Sequence, residues 1–103
     1  MPTRDEAVHA AAVNRLAEDL HRAGDHAEAA IQYSLAYDLW LQAGQPRDAA
    51  VAMLNTGTEL CELSKYLGAA NCLEVAASIS SAIGDHALRS RCLDGLGLCR
   101  SRL

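Results

Sequence analysis

Apolar residues recur along this chain at helical spacing, and turn residues interrupt them at fixed intervals. In the stretch DHAEAAIQYSLAYDLWLQAG, Ala29, Tyr33, Ala36 and Trp40 follow at steps of four, three and four, which makes one stripe on a helix. Turn signals stand at Gly24-Asp25, Gly44-Gln45-Pro46, Ser64-Lys65 and Gly84-Asp85, each 20 residues after the last. Gly24, Gly44 and Gly84 suit the left-handed residue that ends a helix. Thr3 with Glu6, and Asp25 with Glu28, have the spacing of a capping box. Pro46 suits a first helical turn. The pattern predicts one all-α domain over 1–103 with five helices, over about 4–23, 25–43, 46–63, 65–83 and 85–101. Turns this short make neighbouring helices antiparallel hairpins.

A second period of 40 lies over the first. It carries Ala29 onto Ala69, Tyr33 onto Leu73, Ala36 onto Ala76 and Gly57 onto Gly97. The hairpin therefore recurs two and a half times, over about 4–43 and 46–83, with a half repeat at 85–101. Gly57 lies inside a predicted helix, where Ala would favour the helix by roughly 1 kcal/mol. Its presence predicts close packing, with Gly57 and Ala69 at the crossing of one hairpin, since side-chain size there sets the interaxial distance.

These residues resemble the tetratricopeptide repeat (TPR) family, whose signature is W-x2-L-G-x2-Y followed by A-x3-F. The second repeat reads Met53-x2-Thr56-Gly57-x2-Leu60, then Ala69-x3-Leu73 and Ala76. The first reads Val13-x2-Leu16-Ala17-x2-Leu20, then Ala29-x3-Tyr33 and Ala36. The half repeat reads Leu93-x2-Leu96-Gly97-x2-Arg100. Two departures stand out. The period is 40 residues, against the usual 34. The proline that closes the family's second helix is replaced by Leu41 and Ser81. The resemblance implies a right-handed superhelix of antiparallel hairpins in a long-helix variant.

Composition narrows the function classes. The net charge of −4 argues against nucleic-acid binding. No run of 18 apolar residues is present, so no membrane span is expected. The start MPTRDEAVHA does not read as a signal peptide. Cys61, Cys72, Cys92 and Cys99 form no C-x-x-C pair. Cys92 and Cys99 lie seven apart on one helix, about 10.5 Å along its axis, too far for a disulfide. Four reduced cysteines in a cytoplasmic protein are the expectation. His21 and His26 flank a turn with no companion pair to complete a zinc pattern, so both are expected as exposed turn residues, with no metal and no cofactor. No nucleophile elbow, phosphate-binding loop or H-E-x-x-H is present, and a non-enzymatic role is expected.

What the chain binds is implied by the resemblance alone. In this family the first helices of successive repeats line a concave groove that holds a peptide or protein segment. Carried over slot by slot, the partner-binding residues are Asn14, Glu18, Leu54, Asn55, Thr58, Arg91, Asp94 and Leu98. The carboxylate clamp of the family's co-chaperones is matched by Asn55 and approximately by Arg91, but not by Asn14, Glu18 or Gly95, and Glu18 opposes a carboxylate. Two alternatives are a regulatory domain that senses a peptide or small molecule, and a structural module that pairs with itself. For the latter, Leu93, Leu96 and Leu103 are expected on the open face of the fifth helix, with Arg100 beside them, as a homodimer interface.

Overall fold

A computed structural model describes residues 4–103 of the chain. It contains five helices and no strands among those residues: α1 Arg4–Arg22, α2 His26–Gln42, α3 Pro46–Glu62, α4 Tyr66–Ala82 and α5 His86–Ser101. The fold is all-α, each helix packs on the next, and α3 also touches α5. The molecule measures 41 × 33 × 17 Å. None of the described helices is long and apolar enough to cross a membrane.

All four turns close in the same way. The amide of Asp25 donates to the carbonyl of Leu20 at 2.9 Å, and that of Gly24 to His21 at 3.0 Å. Gln45 and Trp40, Lys65 and Leu60, and Asp85 and Ser80 repeat the longer bond at 2.8 to 2.9 Å. This is the double bond of a Schellman turn, which satisfies the last carbonyls of a helix and needs a left-handed residue. Gly24, Gly44 and Gly84 supply it with φ of 80°, 71° and 73°. In the third turn a serine takes the position, and Ser64 adopts φ 58°. A side chain in that region costs about 1–2 kcal/mol, so the third turn is held against a preference that the other three satisfy.

The N-termini are capped unevenly. The Asp25 carboxylate accepts from the amide of Glu28 at 3.2 Å, while the Glu28 carboxylate accepts from Gln32 at 3.2 Å. The capping box is thus half formed. Asp85 caps α5 by accepting from the amide of Leu88 at 3.0 Å. That bond, joined by Arg47 at 2.8 Å, holds the Asp85 carboxyl below the usual carboxylate range. The Thr3 cap lies outside the described residues.

Small residues set the packing. Ala29, Ala36, Ala49, Ala50, Ala52, Ala69 and Ala76 are fully buried. A Cβ placed on Gly57 would stand 2.9 Å from Cγ of Leu73 and 3.3 Å from the carbonyl oxygen of Ala69, so Gly57 and Ala69 meet at the crossing of α3 and α4. Leu73 is 2% exposed. Its other side meets Gly95, where a Cβ would stand 3.2 Å from Cδ1. The register of 40 makes Gly97 the counterpart of Gly57, yet nothing lies within 4 Å of a Cβ there. The difference follows from chain order. α4 lies between α3 and α5 and uses a glycine on each, whereas no described helix covers the face of α5 that carries Gly97.

One expected surface residue is internal. Leu96 is 4% exposed and packs in the main core. Leu88, Cys92, Leu96 and Cys99 follow at steps of four, four and three, a stripe buried in that core with Leu73 and Ala76 of α4. Leu96 is therefore unavailable to a second copy.

Gly57→Val is expected to lower stability by about 1 to 3 kcal/mol, because the crossing cannot open without moving Leu73. Gly97→Ala has free space and is expected to raise it, by up to about 1 kcal/mol. Thermal denaturation followed by circular dichroism separates the two. A melting temperature that falls with Gly97→Ala contradicts the open face.

Candidate functional site

α1, α3 and α5, the first helices of successive repeats, line a trough on one side of the molecule. It comprises two adjoining cavities. One, of about 420 Å³, is lined by Leu54, Asn55, Thr58, Cys61, Glu62, Leu73, Arg91, Asp94, Gly95 and Leu98. The other, of about 400 Å³, is lined by Asn14, Glu18, His21, Arg22, Tyr33, Val51, Asn55, Thr58 and Glu59. Asn55 and Thr58 border both. All eight residues expected to contact a partner fall on these walls.

The two halves differ in chemistry. Leu54, Leu73, Cys61 and Leu98 give the first an apolar floor and flank, with Arg91, Asp94 and Glu62 around it. Leu54 is only 6% exposed and belongs to the core, whereas Leu98 is 62% exposed. The second half is polar. Asn14 donates to Glu18 at 3.0 Å, which orients both across one helical turn. Thr58 donates to the carbonyl of Leu54 at 3.1 Å. Burial first, and then the charges of Glu18 and Glu59, push the Tyr33 phenol above its ordinary range.

The polar half holds a constellation that the sequence did not announce. Glu59 is 1% exposed. Its Oε2 meets Nδ1 of His26 at 2.6 Å, and its Oε1 meets Nδ1 of His21. The two imidazole rings stand edge to face with centroids 5.8 Å apart. His21 closes α1 and His26 opens α2, so the Gly24 turn aims both rings at one carboxylate of α3. They are thus not simple turn residues, and the His26 side chain is only 28% exposed. A buried carboxylate needs such partners, because leaving it unpaired costs several kcal/mol.

A second unannounced contact joins α3 to α5. Sγ of Cys61 lies 3.0 Å from Sγ of Cys99, a pair 38 residues apart, as are His21 and Glu59. Shifting by 40 carries His21 onto Cys61, His26 onto Tyr66 and Glu59 onto Cys99. The slot between successive first helices therefore recurs, filled once by imidazole and carboxylate and once by two thiols. Tyr66 borders the second slot, with the Arg102 guanidinium 5.9 Å from its ring centroid. Burial, then the Cys99 sulfur, pushes the Cys61 thiol up to about 12. At neutral pH it is a thiol, and a weak nucleophile.

The residues expected at a homodimer contact are divided. Leu93 and Leu103 are 41% and 69% exposed, Arg100 pairs with Glu74 of α4 at 3.0 Å, and Leu96 is internal.

Cys61 is expected to react with iodoacetamide in mildly alkaline buffer at least about tenfold more slowly than an unstructured cysteine peptide, since the thiolate carries the reaction. Mass spectrometry of digested protein measures this site by site. A rate equal to that of the peptide would contradict the buried thiol pair.

No family model matches this chain, and neither the curated proteins nor the solved structures yield a match. The resemblance to the tetratricopeptide repeats is one of sequence residues and their spacing alone.

Proposed function

We propose that this chain is a non-enzymatic interaction module of the tetratricopeptide type, which holds a peptide or protein segment in the trough along α1, α3 and α5. The observation that carries this is the meeting of the two cavities at Asn55 and Thr58. An extended segment laid along the trough meets apolar surface at exposed Leu98, above the buried floor of Leu54 and Leu73, and charged or polar groups at Asn14, Glu18, Arg91 and Asp94. That division suits recognition in which an apolar anchor supplies affinity and the surrounding charges choose among partners. A peptide selected against the intact protein from a display library tests it. Arg91→Glu and Leu98→Asp are each expected to weaken binding about fivefold or more, with helicity unchanged, because both side chains are exposed. Leu54 is unsuited to the test, since a charge there enters the core. Undiminished binding by both variants would place the partner elsewhere.

A second reading, self-association, is favoured by the uncovered glycine. Gly57 is covered by Leu73, while its counterpart Gly97 faces open space beside exposed Leu93. A second copy pairing through this face of α5 fills the vacancy and uses one patch twice. Sedimentation velocity across a dilution series is expected to show a dimer that Leu93→Glu abolishes. A parent that sediments as a monomer at every concentration would remove this reading.

A further inference from the structure

We propose that His21, His26 and Glu59 form a binding site for a divalent transition ion of the zinc class. Zinc accepts imidazole nitrogen and carboxylate oxygen, and three protein ligands with one open position make a complete tetrahedral set. Here two Nδ1 atoms and one carboxylate converge, with all three ligand atoms within 4.8 Å of one another. They come from three helices of two repeats. The carboxylate is already buried, so its desolvation is met by the fold before any ion arrives. Two facing groups with lone pairs need a positive centre between them, and in the metal-free protein the imidazole protons supply it. An ion takes the place of both protons. A neutral imidazole that donates from Nδ1 then carries its proton on Nε2, whereas a protonated one releases its Nδ1 proton to solvent.

The geometry fits after a small adjustment. Zinc bonds of the usual length set ligand atoms about 3.3 Å apart in a tetrahedron, while Nδ1 of His26 stands 2.6 Å from Glu59. Both nitrogen–carboxylate contacts must therefore widen by less than about 1 Å, and the two nitrogens, which lie within 4.8 Å of one another, must come to the same spacing. His21 can accommodate this, because its side chain is 47% exposed and lies in the last turn of α1. Glu59 is held by the core and serves as the fixed ligand. His21 and Glu59 line the polar cavity, which gives water access to the fourth position. The three equivalent positions one repeat later hold Cys61, Tyr66 and Cys99, none of them an imidazole or a carboxylate, so the same ligand set is not repeated there.

The test uses the full 103-residue chain, with zinc added alone in calorimetry and cobalt(II) as the spectroscopic probe. One equivalent of zinc is expected to bind with micromolar or tighter affinity, and an excess is expected to raise the melting temperature by roughly 5 °C or more. Cobalt is expected to give the visible d–d bands of a tetrahedral nitrogen and oxygen site, without the near-ultraviolet charge-transfer band of thiolate ligation. His21→Ala is expected to weaken binding at least about tenfold, and His86→Ala to leave it unchanged. Glu59→Gln removes the charge and keeps the shape. If that variant does not fold, His21→Ala decides, because its side chain is half exposed. Failure to bind zinc at about millimolar concentration overturns the proposal and leaves Glu59 as a carboxylate hydrogen-bonded by two histidines. Thiolate charge transfer, or unchanged affinity in His21→Ala, also overturns it by placing the ion elsewhere.

Discussion

The side chain of Leu73 occupies space that two glycines on two different helices leave open. Gly57 admits it from α3 and Gly95 from α5, so one leucine of α4 fixes the approach of both neighbours. The trough walls follow from this. With α3 and α5 both drawn against α4, the two helices come close enough to each other for Cys61 to reach Cys99 and for Leu54 and Leu98 to border one cavity. Helix propensity lost at Gly57 amounts to roughly 1 kcal/mol, while full burial of a leucine contributes about 1.5 to 3 kcal/mol. Packing wins, and the glycines stay.

Much of this was legible in the sequence because turns and small residues obey local rules. The interval of 20 residues located every connection, and the positive φ of Gly24, Gly44 and Gly84 is a backbone requirement that composition expresses directly. Ser64 was legible as a turn but not as a strained one, because serine gives no sign of a left-handed backbone. The crossing of Gly57 with Ala69 could be read from small residues 12 apart. Its extension to Gly97 failed, because a period says which residues are equivalent and not which neighbours are present. Gly95 was not marked by that period, because its equivalent one repeat earlier is Asn55 and not a small residue.

Glu59 was the least legible residue. A glutamate within a helix ordinarily faces water, and its histidines lie 38 and 33 residues away. The one available signal was register, since Glu59 is equivalent to Cys99, a residue type that is commonly buried. α3 also lacks a clean polar face. Ala49, Ala50, Ala52, Met53, Leu54, Thr56, Gly57 and Glu59 are all buried, because neighbours press on it from several sides. A single apolar stripe cannot describe such a helix. Leu96 misled for a related reason: its place in the repeat signature suggested the uncovered face, while the 88, 92, 96, 99 stripe turned it into the core.

The buried apolar residues form two clusters of unequal size. The larger runs through α3, α4 and α5, while the smaller holds Ala17, Ala29 and Tyr33, with Leu20 packed against it, and joins only α1 to α2. In an array where each unit leans on its neighbours, the weakest junction sets where order is first lost. The first hairpin has the thinner apolar seal, and its tie to α3 includes the polar contacts of Glu59. Opening is expected to begin at the first hairpin and travel inward, with the amides of α1 exchanging with solvent sooner than those of α4, so that the chain comes apart as a zip rather than as a single block.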